Sequence, residues 1–188
     1  IDVLREAIDS AKPLPIRGIV EMASLRQTLH DWYDHGGTPG GVSPGWETLA
    51  EIYRVRPGEV TLVSGMPSAG KSTFVSAMVI HLCQDQHWPI TVFSPEQAPP
   101  ARYAVMALEQ MSGQPFDVGH TPRMSRSTLD HTLDRLDEAM TLLWSEDDSP
   151  TVPYLLEMAR KDVFRRGIKG FVIDPWNEVD HQRATGER

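Results

Sequence analysis

Gly65-Met66-Pro67-Ser68-Ala69-Gly70-Lys71-Ser72 satisfies the phosphate-binding P-loop pattern, GxxxxGK followed by Ser or Thr. Gly65 and Gly70 allow backbone angles and a close approach that a Cβ would block, so successive amides can curl around phosphate oxygens. Lys71 supplies a charge for β- and γ-phosphates, the helix that follows turns its positive end towards them, and the Ser72 hydroxyl is a ligand for Mg²⁺. Pro67, Ser68 and Ala69 complete the cradle, and Thr73 continues it into the helix.

The flanks supply the context this loop requires. Glu59–Ser64 (EVTLVS) is β-rich and predicts a strand, Lys71–Leu82 predicts an apolar helix, and Ile90–Ser94 (ITVFS) predicts a buried strand. Together they form a βαβ unit, which implies a parallel sheet with helices against it. Further on, Ser127 with Asp130 resembles a capping box. Leu129, Leu133, Leu136, Met140 and Leu143 then repeat on one helical face and are assigned to the core. Thr151 and Pro153 open another helix, with Leu155, Leu156, Ala159, Val163 and Phe164 as its buried face and Gly167 as its end. The last strand is Ile168–Asp174.

That strand ends in a carboxylate, Asp174, 103 residues after Lys71. An acid there suits the Mg²⁺ shell opposite Ser72, although many buried strands end in Asp for structural reasons. Glu96, in Ser94-Pro95-Glu96-Gln97, follows the strand after the P-loop helix. Ligands in open α/β sheets lie at the carboxyl ends of strands, so Glu96 is a candidate to orient or deprotonate an attacking water; the competing reading is a solvated loop carboxylate. Lys71 and Glu96 are thus the catalytic candidates, and Ser72 and Asp174 the metal ligands.

Towards the amino end, Asp2–Ala11 and Leu25–Tyr33 are short helical patterns separated by Pro13 and Pro15, with Ser24 a candidate cap. Residues 36–46 carry five glycines and two prolines in eleven positions and cannot sustain a helix or a long strand. The expected organisation is a tether over residues 1–35 and a partial ATPase domain over 36–188. The opening on Ile1 and the polar close at His181–Arg188 suggest a fragment.

Composition bounds the rest. With 188 residues, 40% hydrophobic and 23% charged, the chain suits one globular domain with a core. No apolar run approaches the roughly 18 to 20 residues of a bilayer span. A net charge of −8 argues against a passive basic coat on nucleic acid, so any DNA contact must be local. Cys83, the one cysteine, has no disulfide partner, which suits a reducing compartment. Cys83 and His87 stand one turn apart but do not close a zinc site; His30 and His35 read as solvated. Arg160, Lys161, Arg165 and Arg166 form a basic cluster, read as a solvated face and helix-end charges or as a subunit or DNA contact.

The runs GVSPGWETL, RPGEVTLVSGMPSAGKST, VFSPEQ and GIKGFVIDPWNEVDHQR resemble the RecA-like helicase domain of Twinkle-group replicative helicases, relatives of DnaB. The likeness covers Pro15 to Arg183, and Asn177–Arg183 is closest to the plant and phage branch. It implies an α/β RecA-like P-loop NTPase, truncated at its carboxyl-terminal end, with Walker A at Gly65–Ser72, the catalytic acid at Glu96 and Walker B at Asp174. It further implies ATP and Mg²⁺ as cofactors, 5′ to 3′ translocation on single-stranded DNA in replication, a homo-hexameric ring, and a primase domain or protein as partner. The sensor motif, arginine finger and later DNA-binding loop are expected beyond Arg188. The expected location is the cytoplasm of a bacterial or phage-infected cell, or alternatively a mitochondrial or plastid matrix. A RecA- or KaiC-type ATPase, or a non-catalytic nucleotide-binding assembly module, remains an alternative.

Overall fold

Ile90–Phe93 forms strand β1, and all four of its residues are buried. Only a strand covered on both faces reads as an unbroken apolar and β-branched run, which is the expectation for a central strand of a parallel sheet. The computed structural model, which describes residues 20–145 and 150–179, places β2 (Met140–Leu143) and β3 (Gly170–Ile173) on either side of it, in the order β2-β1-β3. Both pairings are parallel, with Phe93 opposite Leu143 on one side and Ile173 on the other.

The helices among the described residues are α1 (Arg26–Asp34), α2 (Glu47–Ala50), α3 (Lys71–Asp85), α4 (Pro100–Ser112), α5 (Arg126–Ala139) and α6 (Val152–Arg166). Alternation along β1 sorts them into two layers. Ile90 and Val92 join the cluster built with Val79, Ile80 and Cys83 of α3, Ala107 and Leu108 of α4 and Leu136 of α5. Phe93 packs instead with Leu155 of α6, and Thr91 donates a 2.6 Å hydrogen bond to Asp162 of the same helix. The chain runs from β1 to β2 in one direction and from β2 back past β1 to β3 in the other. Right-handed crossovers therefore put α4–α5 and α6 on opposite faces. The result is the three-layer α/β arrangement of a RecA-like domain.

Residues before Gly41 and those from Gly41 onward fall into separate units. In the first, a 3-10 turn at Met22–Leu25 leads into α1, and the Ser24 hydroxyl bonds the Glu21 carbonyl rather than capping the helix as expected. The Asp2–Ala11 pattern lies outside the described residues.

Several expectations are corrected. Glu59–Ser64 does not join the sheet: Val60 is 98% and Leu62 83% exposed. A strand needs a partner for its amides, and here local contacts hold the segment, with Tyr53 and Thr61 hydroxyls 2.7 Å apart and Arg56 beside Glu59 at 3.4 Å. Ser125, not Ser127, caps α5, accepting from the Thr128 amide. The Leu129–Leu143 stripe is not one helix, because α5 ends at Ala139 and Met140–Leu143 pairs with β1. Pairing to a buried strand overrides the helix preference of Met and Leu. On α6, Leu155 and Ala159 are buried as expected, but Leu156, Val163 and Phe164 face solvent and Asp162 takes the inward place. Thr151 and Gly167 do bound α6, the former by a side-chain cap and the latter in a left-handed conformation. The expected strands at 90–94 and 168–174 are shorter than their patterns.

Two outcomes test this packing. Thr91→Val removes a donor from a buried carboxylate that, among the described residues, keeps the Arg165 contact at 3.3 Å. It should lower unfolding free energy by about 1 to 3 kcal/mol in urea titration. Burial pushes the Cys83 thiol up to about 12, and the thiol donates to the Ala139 carbonyl at 3.6 Å. At pH 8.5 the native thiol should alkylate on the order of a thousandfold more slowly than the urea-unfolded chain, where roughly half is thiolate; equal rates would refute the packing.

Candidate nucleotide site

The loop before α3 has the backbone that its glycines allow. Gly70 is the N-cap of α3 with φ 82° and ψ 18°, in the left-handed region. Ser68 also has a positive φ of 59°. Space around Gly70 is open, so the demand for glycine comes from the backbone angle and not from crowding. This left-handed step turns the chain so that the first amides of α3, which have no acceptor within the helix, lie beside the loop. Lys71 folds back over it, its Nζ donating to the carbonyls of Gly65 at 3.1 Å and Met66 at 2.8 Å. Met66 also accepts from the Ala69 amide at 3.3 Å.

Residues 41–46 dock onto α3. Trp46 stacks on Phe74 with centroids 5.1 Å apart and meets His81 edge-on at 5.2 Å. Gly45, with φ 109°, lies so close to the His81 ring that no Cβ fits. The second half of the glycine-rich stretch, residues 41–46, is therefore a packed brace for the P-loop helix, a role its composition alone did not reveal.

Asp174 and Glu96 occupy the carboxyl ends of neighbouring strands. The Asp174 amide donates to the Phe93 carbonyl at 2.9 Å, which closes the last β1–β3 pair, Phe93 with Ile173. Glu96 lies two residues beyond Ser94 in an exposed 3-10 turn, Pro95–Gln97. Parity puts Asp174 on the same face as Val172, which packs against the α3–α5 cluster. Tyr103 of α4 is buried on that side. Its phenol is pushed up to about 12, chiefly by burial; a hydrogen bond with Ser76 of α3 opposes the shift, and the charge of Asp174 adds to it. Ser76 in turn donates to Gln110 at 2.8 Å. Asp174 thus lies within electrostatic reach of a group bonded to the P-loop helix. Among the described residues, no hydrogen bond or ion pair joins Lys71 or Ser72 directly to Glu96 or Asp174.

The donor set fits a nucleotide with a hard divalent cation. A hydroxyl and a carboxylate are oxygen ligands of the kind Mg²⁺ takes, and a left-handed loop before a helix presents amides to phosphate. Sequence reasoning passed over Ser76, Ser94 and Tyr103. For Ser94 a signal was available, because it continues the Ile90–Val92 alternation onto the face of Asp174. The basic cluster is largely engaged within the chain: Lys161 with Glu157 at 2.9 Å, Arg165 with Asp162, Arg166 with Asp137, Met140 and Thr141, and Arg160 over the Phe164 ring at 5.9 Å. His35 Nδ1 bonds the Asp31 carbonyl at 2.6 Å. Among the described residues, no group of three or more His, Cys, Asp or Glu side chains could hold a metal, and no helix is long and apolar enough to cross a membrane.

No family model matches the chain. It is similar to the Twinkle homolog protein, chloroplastic/mitochondrial, of Arabidopsis thaliana, at 37% identity over 97% of this chain and 26% of that protein's length.

Because the Lys71 contacts are exposed, Lys71→Ala should leave the unfolding free energy of the ligand-free chain, read by urea titration, within about 0.5 kcal/mol of native. A larger loss would mean that the lysine is structural.

Proposed function

Because this chain belongs to the Twinkle-like helicase family, we propose that it is the ATP-binding part of a DNA helicase motor that couples ATP hydrolysis to translocation on single-stranded DNA. The observation that carries the reading is the left-handed Gly70 ahead of α3, with Lys71 lying over the loop. Nucleotide phosphates would displace Lys71 from the Gly65 and Met66 carbonyls and take its charge in their place. Ser72 and Asp174 would hold Mg²⁺, which neutralises phosphate charge when bound. Glu96 would orient the attacking water and accept its proton, at the carboxyl end of β1 where such ligands sit.

The rest of the reading follows from the family. The motor works in the 5′ to 3′ direction as a ring of six copies, with an arginine from a neighbouring copy completing each site and a primase domain or protein as partner. The relative's name places that protein in chloroplasts or mitochondria, which favours an organelle matrix over a bacterial or phage-infected cytoplasm for this chain. One observation favours a second reading, a non-catalytic nucleotide-binding assembly module: Glu96 is exposed, and among the described residues no hydrogen bond or ion pair joins its side chain to the P-loop.

Titration with a fluorescent ATP analogue tests the site. The native chain should bind in the presence of Mg²⁺, and Lys71→Ala should weaken binding at least about tenfold, the loss of a charge-assisted contact of roughly 1.5 to 3 kcal/mol. Unchanged affinity would remove the P-loop assignment. For the two readings, Glu96→Gln should retain binding but lower single-turnover hydrolysis by about 10²- to 10⁴-fold if Glu96 is the base. Equal hydrolysis in native and variant chains would favour the assembly module.

A further inference from the structure

Ser94 follows β1 directly and Asp174 follows β3 directly, each one residue past the last pair, Phe93 with Ile173, which the Asp174 amide closes by donating to the Phe93 carbonyl at 2.9 Å. Adjacent parallel strands lie about 4.8 Å apart, and side chains at matched positions rise from the same face. Ser94 and Asp174 are therefore the first residues past the paired ends of neighbouring strands, and the alternation of each strand directs both towards the face covered by α3 and α4.

The Ser94 hydroxyl is buried, and it has no hydrogen-bond partner among the described residues. A serine before a 3-10 turn ordinarily caps it, and Ser94 does occupy the N-cap of Pro95–Gln97 without its side chain capping. The turn is closed by the backbone, with the Gln97 amide donating to the Ser94 carbonyl at 3.3 Å. The Asp174 carboxylate likewise has no hydrogen bond or ion pair among the described residues. A buried donor with no structural duty thus adjoins a carboxylate with open acceptor positions, and leaving such a hydroxyl unmatched destabilises a fold.

We infer that Ser94 is a positioning residue for Asp174 when the divalent cation is bound: its hydroxyl, which is not hydrogen-bonded to Asp174 in this structure, would then donate to one carboxylate oxygen and leave the other for the cation shared with Ser72. The inference rests on the nucleotide reading above and extends it to a residue outside the P-loop, the Glu96 turn and Asp174 itself. Partners that hold a ligating carboxylate in place commonly account for 10- to 100-fold in metal affinity. Because β1 also leads to Glu96, the same serine ties the spacing of the two acidic positions to one strand end.

The experiment compares the native 188-residue chain with Ser94→Ala and Ser94→Thr, reading binding of a fluorescent ATP analogue across a Mg²⁺ titration and stability in urea. Ser94→Ala should raise the Mg²⁺ concentration at half-maximal binding about tenfold. It should leave Mg²⁺-free binding unchanged and stability equal or higher, because a purely structural view predicts only the relief of an unmatched hydroxyl. Ser94→Thr, which keeps the donor, should restore the native Mg²⁺ midpoint. In an Asp174→Asn background, Ser94→Ala should add nothing further. A native-like Mg²⁺ midpoint in Ser94→Ala, or equal impairment of Ala and Thr variants accompanied by loss of stability, overturns the inference while leaving the nucleotide reading intact. Native binding that ignores Mg²⁺ overturns both.

Discussion

Complete burial of β1 is the constraint from which the arrangement follows. A strand with covered faces must send successive side chains into different layers, so Ile90 and Val92 commit to α3–α5 while Thr91 and Phe93 commit to α6. The one polar side chain in that strand, Thr91, needs a partner in a dry interior, and α6 supplies the buried Asp162. That hydrogen bond fixes the position of α6 along the strand as well as its rotation. It also explains why the inward face of α6 reads Leu155, Ala159, Asp162, with Val163 and Phe164 left outside.

The two ends of the site are supported by different means. Asp174 and the Glu96 turn leave a rigid sheet whose register is set by backbone pairing. The P-loop has no such scaffold on its amino-terminal side, since residues 59–64 stay out of the sheet. It is held by α3 and by the Trp46–Phe74–His81 stack, which braces the helix that carries Lys71 and Ser72. In the proposed nucleotide site a phosphate would depend chiefly on the helix terminus, where orphan amides and the macrodipole favour an anion without help from a strand. Tyr103 joins the halves, bonded to Ser76 of α3 and close enough to Asp174 for its charge to matter.

Charge is used economically. The chain is net acidic, and the basic side chains of α6 pair with Glu157 and Asp162, bond carbonyls around β2, or lie over Phe164. Arg166 in particular stitches the end of α6 to the point where α5 gives way to β2. A cluster that reads in the sequence as a solvated face and helix-end charges, or as a subunit or DNA contact, is in the fold partly the fastening of one layer to the sheet.

The residues alone identified the P-loop, the helix behind it, the buried strand at 90–93 and the acid at the end of the last strand, because each depends on local chemistry. A left-handed cap needs glycine, and a strand covered on both faces needs an unbroken apolar run. The Thr151 cap and the Gly167 stop were legible for the same reason. What depended on a distant partner was not legible. Glu59–Ser64 has strand composition and no strand beside it, whereas Met140–Leu143 has helical spacing and pairs with β1. Asp162 reads as a solvent-facing charge until Thr91 is seen against it, 71 residues away in sequence. Ser94 gains its meaning only when β3 brings Asp174 alongside. Propensity and periodicity report what a segment can form; hydrogen-bond pairing and burial across the chain decide which of those forms is adopted.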